Sequence, residues 1–487
     1  MASDRCGYYI KNKQRYCRQL VVQGSNHCYT HTSETSTDKV ACPLDPKHFV
    51  NRSNLEGHLK KCNASRKVEA TYEVRGINSS GLGSYAPVST VTLASASPSA
   101  VLKLIVRLEK LNAELNLLGQ VNDLSDGDIH PLVAFTLNNH RHWCSNGFPG
   151  FKEIPSFTQT DNTLSDKGNN EVDNINSLDE DNFRVDPQTV VRGSMRHVYQ
   201  NGCLIRVLEK EGLLSTNSLY VEFGAGRAGL SHWINNCLAS TELGQRCYDH
   251  YPGVWPVKAP ETNFLVVELC SIRDKMDRRQ RGEGNFTRLR INIADLDLTR
   301  VQLIQENKRP VIAVAKHLCG DATDLSLRCL KNGGNIIDLS GIMFAVCCHH
   351  KCSWNETAGR YWLEQVANIT SDEFSLITSL ASWAVCGFQR KSSHCFDACT
   401  DNADVRCKEA LQSGNEDECL TVLRSLDVNY KMRIGKISKH LIDWGRLMYI
   451  KHELKFPDAH FVSYAKSEVT PENIVICASR LTKSCCD

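Results

Sequence analysis

The feature that most limits the folds open to this chain is a series of five short apolar segments between Leu219 and Val346, separated by turn-forming and helical sequence. They lie in SLYVEF, NFLVVEL, RLRINIADLDL, PVIAVAKHLCG and GNIIDLSGIMFAV. Apolar strands alternating with helices build a mostly parallel sheet, since parallel neighbours need a crossover long enough for a helix that then covers a face. The predicted class is α/β, a Rossmann-like doubly wound domain over residues 188–487, with insertions near 237–262 and 391–430.

The first strand runs into a glycine turn, Gly224, Gly226 and Gly229, and then a helix start. Glycines let a backbone approach a ligand closely, and a helix N-terminus offers free N–H groups. As G-x-G-x-x-G the loop also fits a dinucleotide site, so its acids must decide. Glu222 stands two residues before the first glycine, where a carboxylate suits a cationic group such as the amino-acid moiety of S-adenosylmethionine and does nothing for a pyrophosphate. Glu268 follows 39 residues after Gly229, whereas a dinucleotide site expects its ribose-binding acid about 20 residues on. Asp295 is the third acid expected on that edge. The three together favour S-adenosylmethionine over NAD: one near the amino acid, one on the ribose hydroxyls, one near the adenine amine.

The fourth strand ends in Lys316 and His317. The fifth runs into CCHHKC, with Cys347, Cys348, His349, His350 and Cys352. Ligands of doubly wound sheets bind beyond the carboxyl ends of strands, so both ends are expected beside the donor pocket. Removing a proton from an attacking hydroxyl needs a polar group within hydrogen-bond reach, and Lys316, His317, His349 and His350 are the candidates. CCHHKC is read as an active-site wall positioning the acceptor; adjacent side chains point apart, which disfavours a zinc site there.

The other end of the chain is different in kind. Residues 1–67 carry twelve Lys and Arg against five Asp and Glu, a net +7 of a total +2. They hold little apolar material, so metal is the expected source of folding energy. Residues 1–35 offer Cys6, Cys17, Cys28 and His31, and residues 38–67 offer Cys42, His48, His58 and Cys62. Each is a four-ligand set for tetrahedral structural zinc, two ions in all. Such a basic module suits a polyanion, nucleic acid first. The 23 cysteines, with no apolar leader or spanning segment, argue for reduced thiols in an intracellular, non-membrane protein of nucleus or cytoplasm.

Residues 68–98, rich in Ser, Gly and Ala, read as a linker. Residues 99–120 read as a helix capped by Ser97 and Pro98, with Val101, Leu104, Leu108, Leu111, Leu115 and Leu118 on one narrow seam packing on the same chain. Residues 121–187 are irregular and acidic, with eight acids to two bases in 157–187, and are expected to be disordered. The run 273–290, with seven basic residues to three acidic, is a candidate phosphate contact. Cys395, Cys399, Cys407 and Cys419 read as thiols in an insertion.

Taken together, the C-x10-C-x10-C-x2-H and CHHC fingers, VEFGAGRAGLSHW, KHLCGDATDLSLRCL, CCHHKCSW, SWAVCGF and LIDWGR make the chain resemble the eukaryotic tRNA ribose 2′-O-methyltransferases that modify the fourth nucleotide, in the acceptor stem. The CHHC finger alone also resembles one in a minor-spliceosome protein. The resemblance implies methyl transfer from S-adenosylmethionine to a tRNA 2′-hydroxyl; separately, the chain is expected to be a monomer. The competing class is a non-catalytic zinc-finger RNA-binding protein on a methyltransferase-like scaffold, and donor binding discriminates the two.

Overall fold

The computed structural model describes residues 5–10, 15–17, 20–21, 24–28, 39–59, 62, 70–81, 91–125, 129, 133, 194–243, 262–272, 285–385 and 401–481. His31, the acidic stretch 157–187, most of the 237–262 insertion, and Cys395 and Cys399 lie outside the described residues, as does the side chain of His48. The chain forms two units, Met1–Ala70 and Thr71–Asp487.

In the first unit, Tyr9–Ile10 pairs antiparallel with Arg15–Tyr16, and Lys39–Cys42 with Asp45–Asn51, followed by the short helix Leu55–Leu59. Among the described residues its buried apolar atoms are essentially sulfur: Cys6, Cys17 and Cys28 cluster with Tyr8 packed on them.

The second unit is built on one eight-stranded sheet. Its strands are β1 (Val121–Asp123), β2 (Leu219–Phe223), β3 (Asn263–Glu268), β4 (Phe286–Arg290), β5 (Val311–Cys319), β6 (Leu339–Cys347), β7 (His460–Ser463) and β8 (Ile474–Ser479). The order is β1-β7-β8-β6-β5-β2-β3-β4. All neighbours from β6 through β5, β2 and β3 to β4 are parallel, whereas β8 runs antiparallel to β6 and β7. The order reverses between β2 and β5, so the crevice at their carboxyl ends is where such a sheet binds ligands. Strand residues alternate between the two faces. Tyr220, Ile312, Val314 and Met343 pack on one side with helices α2 (Ser194–Lys210) and α3 (Gly229–Leu243). Leu219, Val221, Ala313 and Phe344 pack on the other with α4 (Asp321–Asn332).

A third apolar core is wholly helical. Helix α1 (Pro98–Leu115) starts as expected, with the Ser97 side chain accepting from the Ala100 N–H and proline in the first turn. Its Val101, Leu104, Leu108 and Leu111 are buried against α5 (Ser371–Ala381), α6 (Asp401–Ser413), α7 (Glu416–Ser425) and α8 (Val428–His452). Two readings change here. Residues 401–430 form part of this layer, and Cys407 and Cys419 are fully buried in it. Residues 71–81 are fastened to the turns that follow β4 instead of linking loosely: Asn78 is buried and donates to the carbonyls of Ile293 and Leu296, and Glu73 bridges to Leu296. A Ser/Gly-rich composition does not reveal that one asparagine completes two carbonyls 215 and 218 residues away. No helix among the described residues is long and apolar enough to cross a membrane.

Candidate active site and zinc modules

The glycine loop is held from three sides. Gly224 and Gly226 have φ of +61° and +52°, a region that L side chains enter at a cost. The Gly226 N–H donates to Glu268 Oε2 at 2.8 Å, and Arg288 Nη1 on β4 donates to the Gly226 carbonyl at 3.0 Å. A Cβ at Gly226 would meet nothing within 4 Å, so the loop presents backbone to open space. Glu222 is 2% exposed, and its Oε2 accepts from both the backbone N–H and the hydroxyl of Ser231 in the first turn of α3. It therefore ties strand to helix, and burial pushes its carboxyl up to about 7. Gly229 opens α3, with Asn201 beside it.

Asp295 departs from the strand-end position expected for it. β4 ends at Arg290, and Asn292 and Asp297 accept from the N–H groups two residues on, turning IADLDL into two 3-10 turns. Within them, Asp295 Oδ1 accepts from the Gly76 N–H at 2.7 Å. Of the basic run 273–290, residues 273–284 lie outside the described residues; Arg288, half-buried, reaches the Gly226 carbonyl, while Arg290 is exposed with Nε 3.4 Å from the Leu269 carbonyl.

Lys316 and His317 stand at the open end of β5, beside the reversal of strand order. Lys316 Nζ donates to Asn201 Oδ1 at 2.6 Å and to the His197 carbonyl at 2.9 Å. Burial drives its pKa down to about 7, against the pull of Glu222. His317 sits at φ +57° where the β5–β6 register shifts, and burial with the Lys316 charge lowers its pKa to about 4. Its Nε2 lies 3.2 Å from Gln200 Oε1, which also lies 3.3 Å from His197 Nδ1. His197, Gln200 and Asn201 were not anticipated. Their signal was available in the spacing H-x-x-Q-N, which puts all three on one face of α2. Ala228 and Cys348 also take left-handed φ, +60° and +53°. Three strained non-glycine residues thus flank one edge, as functional sites often show.

CCHHKC divides in two. His350 is exposed, but His349 is 2% exposed with Nε2 2.7 Å from Asp443 Oδ2. His349 is thus corrected from an acceptor-facing group to a buried structural one, because its turn, Cys348 to Lys351, folds the ring inward onto α8. Arg446, fully buried, completes the cluster. Its guanidinium reaches Asp324 Oδ2 at 2.5 Å, Asp443 Oδ1 at 3.0 Å, the Gly320 carbonyl at 3.0 Å and Cys352 Sγ at 3.2 Å. Burial raises the carboxyl of Asp443, but the His349 and Arg446 charges outweigh it and hold the group down at about 2. KHLCGDATDLSLRCL, CCHHKCSW and LIDWGR, far apart in sequence, meet in this one ionic cluster.

In the first unit, Cys6, Cys17 and Cys28 bring their sulfurs within 4.8 Å of one another, as do the ligand atoms of Cys42, His58 and Cys62. Sγ–Sγ distances are 3.9 Å for Cys17–Cys28 and 3.6 Å for Cys42–Cys62, and His58 Nε2 lies 3.2 Å from Cys42 Sγ. Tetrahedral zinc with Zn–S near 2.3 Å sets sulfurs about 3.8 Å apart, so these donors fit zinc. Each cluster shows three of its four expected ligands, the fourth lying outside what is described.

A doubly wound sheet with a glycine loop at its switch point, preceded in sequence by two zinc-finger modules, is the architecture of a Rossmann-like methyltransferase with N-terminal zinc fingers. Residues 199–479 match the family described as "Methyltransferase TRM13", residues 4–32 the "CCCH zinc finger in TRM13 protein" and residues 39–63 the "U11-48K-like CHHC zinc finger". The chain belongs to the TRM13 methyltransferase family. It is similar to the human "tRNA:m(4)X modification enzyme TRM13 homolog", 28% identical over 98% of this chain and 95% of the human one. It is also similar to the enzymes of that name from Scheffersomyces stipitis, 26% identical over 97% of each chain, and Saccharomyces cerevisiae, 24% identical over 97% and 95%. No solved structure matches the chain.

Proposed function

We propose that this protein methylates the ribose 2′-hydroxyl of a tRNA nucleotide, at position 4 of the acceptor stem, using S-adenosylmethionine. The tRNA and the position rest on the relatives' names; the 2′-oxygen and the donor rest on the sequence resemblance and the site. When bound, the donor supplies an electrophilic methyl on a sulfonium centre. Gly224, Gly226 and Glu268 would hold it at the switch point.

The observation that carries the reading is the environment of Lys316. Its two acceptors, Asn201 Oδ1 and the His197 carbonyl, match the two N–H groups of a neutral amine and leave its lone pair free. With a pKa near 7 the amine is neutral often enough to take the 2′-hydroxyl proton as oxygen attacks, and basic enough to keep it. Gln200 holds His317 and His197 in place, and the low pKa of His317 keeps that ring neutral, so it adds no charge beside Lys316. The finger modules, with their +7 charge, would add salt-sensitive affinity for the tRNA backbone.

The test is incubation with labelled S-adenosylmethionine and total tRNA, followed by mapping of ribose methylation. Activity should rise with pH through about 7 as Lys316 loses its proton. Lys316→Arg, which stays protonated, should lose about 10²–10⁴-fold in turnover at every pH. Donor binding in calorimetry without methylation would favour a scaffold role, and full activity in Lys316→Arg would remove Lys316 as the base.

A further inference from the structure

A second chemistry-bearing cluster lies on the same edge and takes no part in the methyl-transfer reading. Cys319 ends β5 and Cys347 ends β6, and they are register partners in that parallel pair. Adjacent strands lie about 4.8 Å apart, inside the Cα window of about 4.4–6.8 Å that a disulfide needs. Their sulfurs are 3.0 Å apart, and Cys348 brings a third sulfur within 4.8 Å of both. The finger sulfurs, at 3.6 and 3.9 Å, keep the spacing of zinc ligands. Cys319 and Cys347 are closer than one tetrahedral ion allows, and closer than unbonded sulfurs normally pack. Cys319 is exposed and Cys347 buried, so one thiol can meet a small solute, and Cys347, its register partner with the sulfur at 3.0 Å, is better placed than Cys348 to follow it.

We propose that Cys319 and Cys347 form a reversible, peroxide-oxidised disulfide across the open ends of β5 and β6. Hydrogen bonding from Cys347 outweighs burial and, with the Cys348 thiol and the Lys351 charge, lowers the Cys319 thiol to about 6, while Cys347 is raised and keeps its proton. The Cys319 thiolate attacks one peroxide oxygen, the O–O bond breaks, and hydroxide leaves to be protonated to water, giving a sulfenic acid. The Cys347 sulfur then attacks the Cys319 sulfur. The S–O bond breaks, the Cys347 proton leaves with the hydroxyl as a second water, and the two thiols have given two electrons to the peroxide. The bond would fix the strand ends that carry Lys316 and His317 on one side and the Cys348–Lys351 turn on the other. Its effect on methyl transfer rests on the function proposed above; its formation does not.

The experiment treats the full-length, zinc-loaded protein with graded hydrogen peroxide, alkylates free thiols, digests, and maps linked peptides by mass spectrometry with zinc measured in parallel. The expected result is a Cys319–Cys347 linkage that precedes zinc release and is cleaved by dithiothreitol. In Cys319→Ser, Cys347 should be recovered alkylated. If the protein also methylates tRNA, oxidation should lower turnover on the order of a hundredfold, the cost of a misplacement near 1 Å, and reduction should restore it. A protein that shows the linkage but no methylation retains the thiol pair and loses only the enzymatic reading. The proposal is overturned if both thiols stay free at peroxide levels that oxidise the exposed Cys270. It is equally overturned if Cys319→Ser loses a metal equivalent, which would make the three sulfurs a metal site.

Discussion

Replacing Arg446 by methionine tests whether the buried ionic cluster is what holds the Cys348–Lys351 turn and the start of α4 together. The guanidinium is fully buried and is the cation facing Asp324, itself fully buried, through Nε and Nη2. Asp443 would keep His349 at 2.7 Å, but Asp324 would be left with the Ala358 N–H at 2.8 Å on one oxygen. Removing one partner of a buried ion pair costs about 3–5 kcal/mol, because the other charge stays buried without compensation. Most of that cost should fall on Asp324. Adding Asp324→Asn to Arg446→Met should then recover about 1–3 kcal/mol relative to the sum of the single changes. Urea unfolding of the full chain, followed by tryptophan fluorescence, measures both quantities. A loss below about 1 kcal/mol for Arg446→Met, or strictly additive changes, would refute the argument that this arginine neutralises the cluster.

At Gly226 an alanine Cβ meets no neighbour, so Gly226→Ala should cost the fold only about 1–2 kcal/mol of left-handed strain while weakening donor binding in calorimetry; unchanged affinity would move the donor elsewhere. Burial lowers His440 to about 4 from 6.5, so its unfolded form binds a proton that the folded form refuses. Its contribution is therefore complete above pH 6.5 and is lost as pH falls from there toward 4, by about 3 kcal/mol. Melting curves across that range should flatten in His440→Phe, and an unaltered slope would contradict the assignment. Cys42→Ser should remove one of two zinc equivalents from the full chain in metal analysis, and no change would mean that the second cluster holds no ion.

The parts of the fold that local pattern encodes were legible from sequence. β2, β3, β5 and β6 are apolar runs bounded by turns, whereas β4 is the mixed segment FTRLR, and Ser97–Pro98 announces its helix in two residues. Sequence placed Lys316 and His317 at one strand end because that depends only on where an apolar run stops. The helical core was harder. α1 and α6–α8 are ordinary amphipathic helices whose partners lie hundreds of residues apart, and periodicity says that a face is buried without saying against what. Side-chain direction was harder still. His349 and His350 look alike in sequence, yet one meets Asp443 and the other faces solvent, a distinction made by a single left-handed residue at Cys348. Asp295 was misplaced for a related reason: two side chains that cap turns outweighed the strand pattern.

The clamp on Gly226 has a consequence for turnover. Glu268 takes its N–H and Arg288 its carbonyl, so the peptides on both sides of Gly226 have their orientation before any ligand arrives. A donor seated there need not spend affinity on ordering the loop. The same rigidity makes the loop indifferent to what it holds: a donor and its demethylated product share the parts that would touch the glycines, and a fixed backbone grips both alike. Contacts that do not change along the reaction lower the concentration of donor needed without speeding the chemistry. They also slow departure of the spent molecule. If S-adenosylmethionine is the donor, product retention is the expected brake on this loop, with release driven by whatever senses the lost positive charge on sulfur.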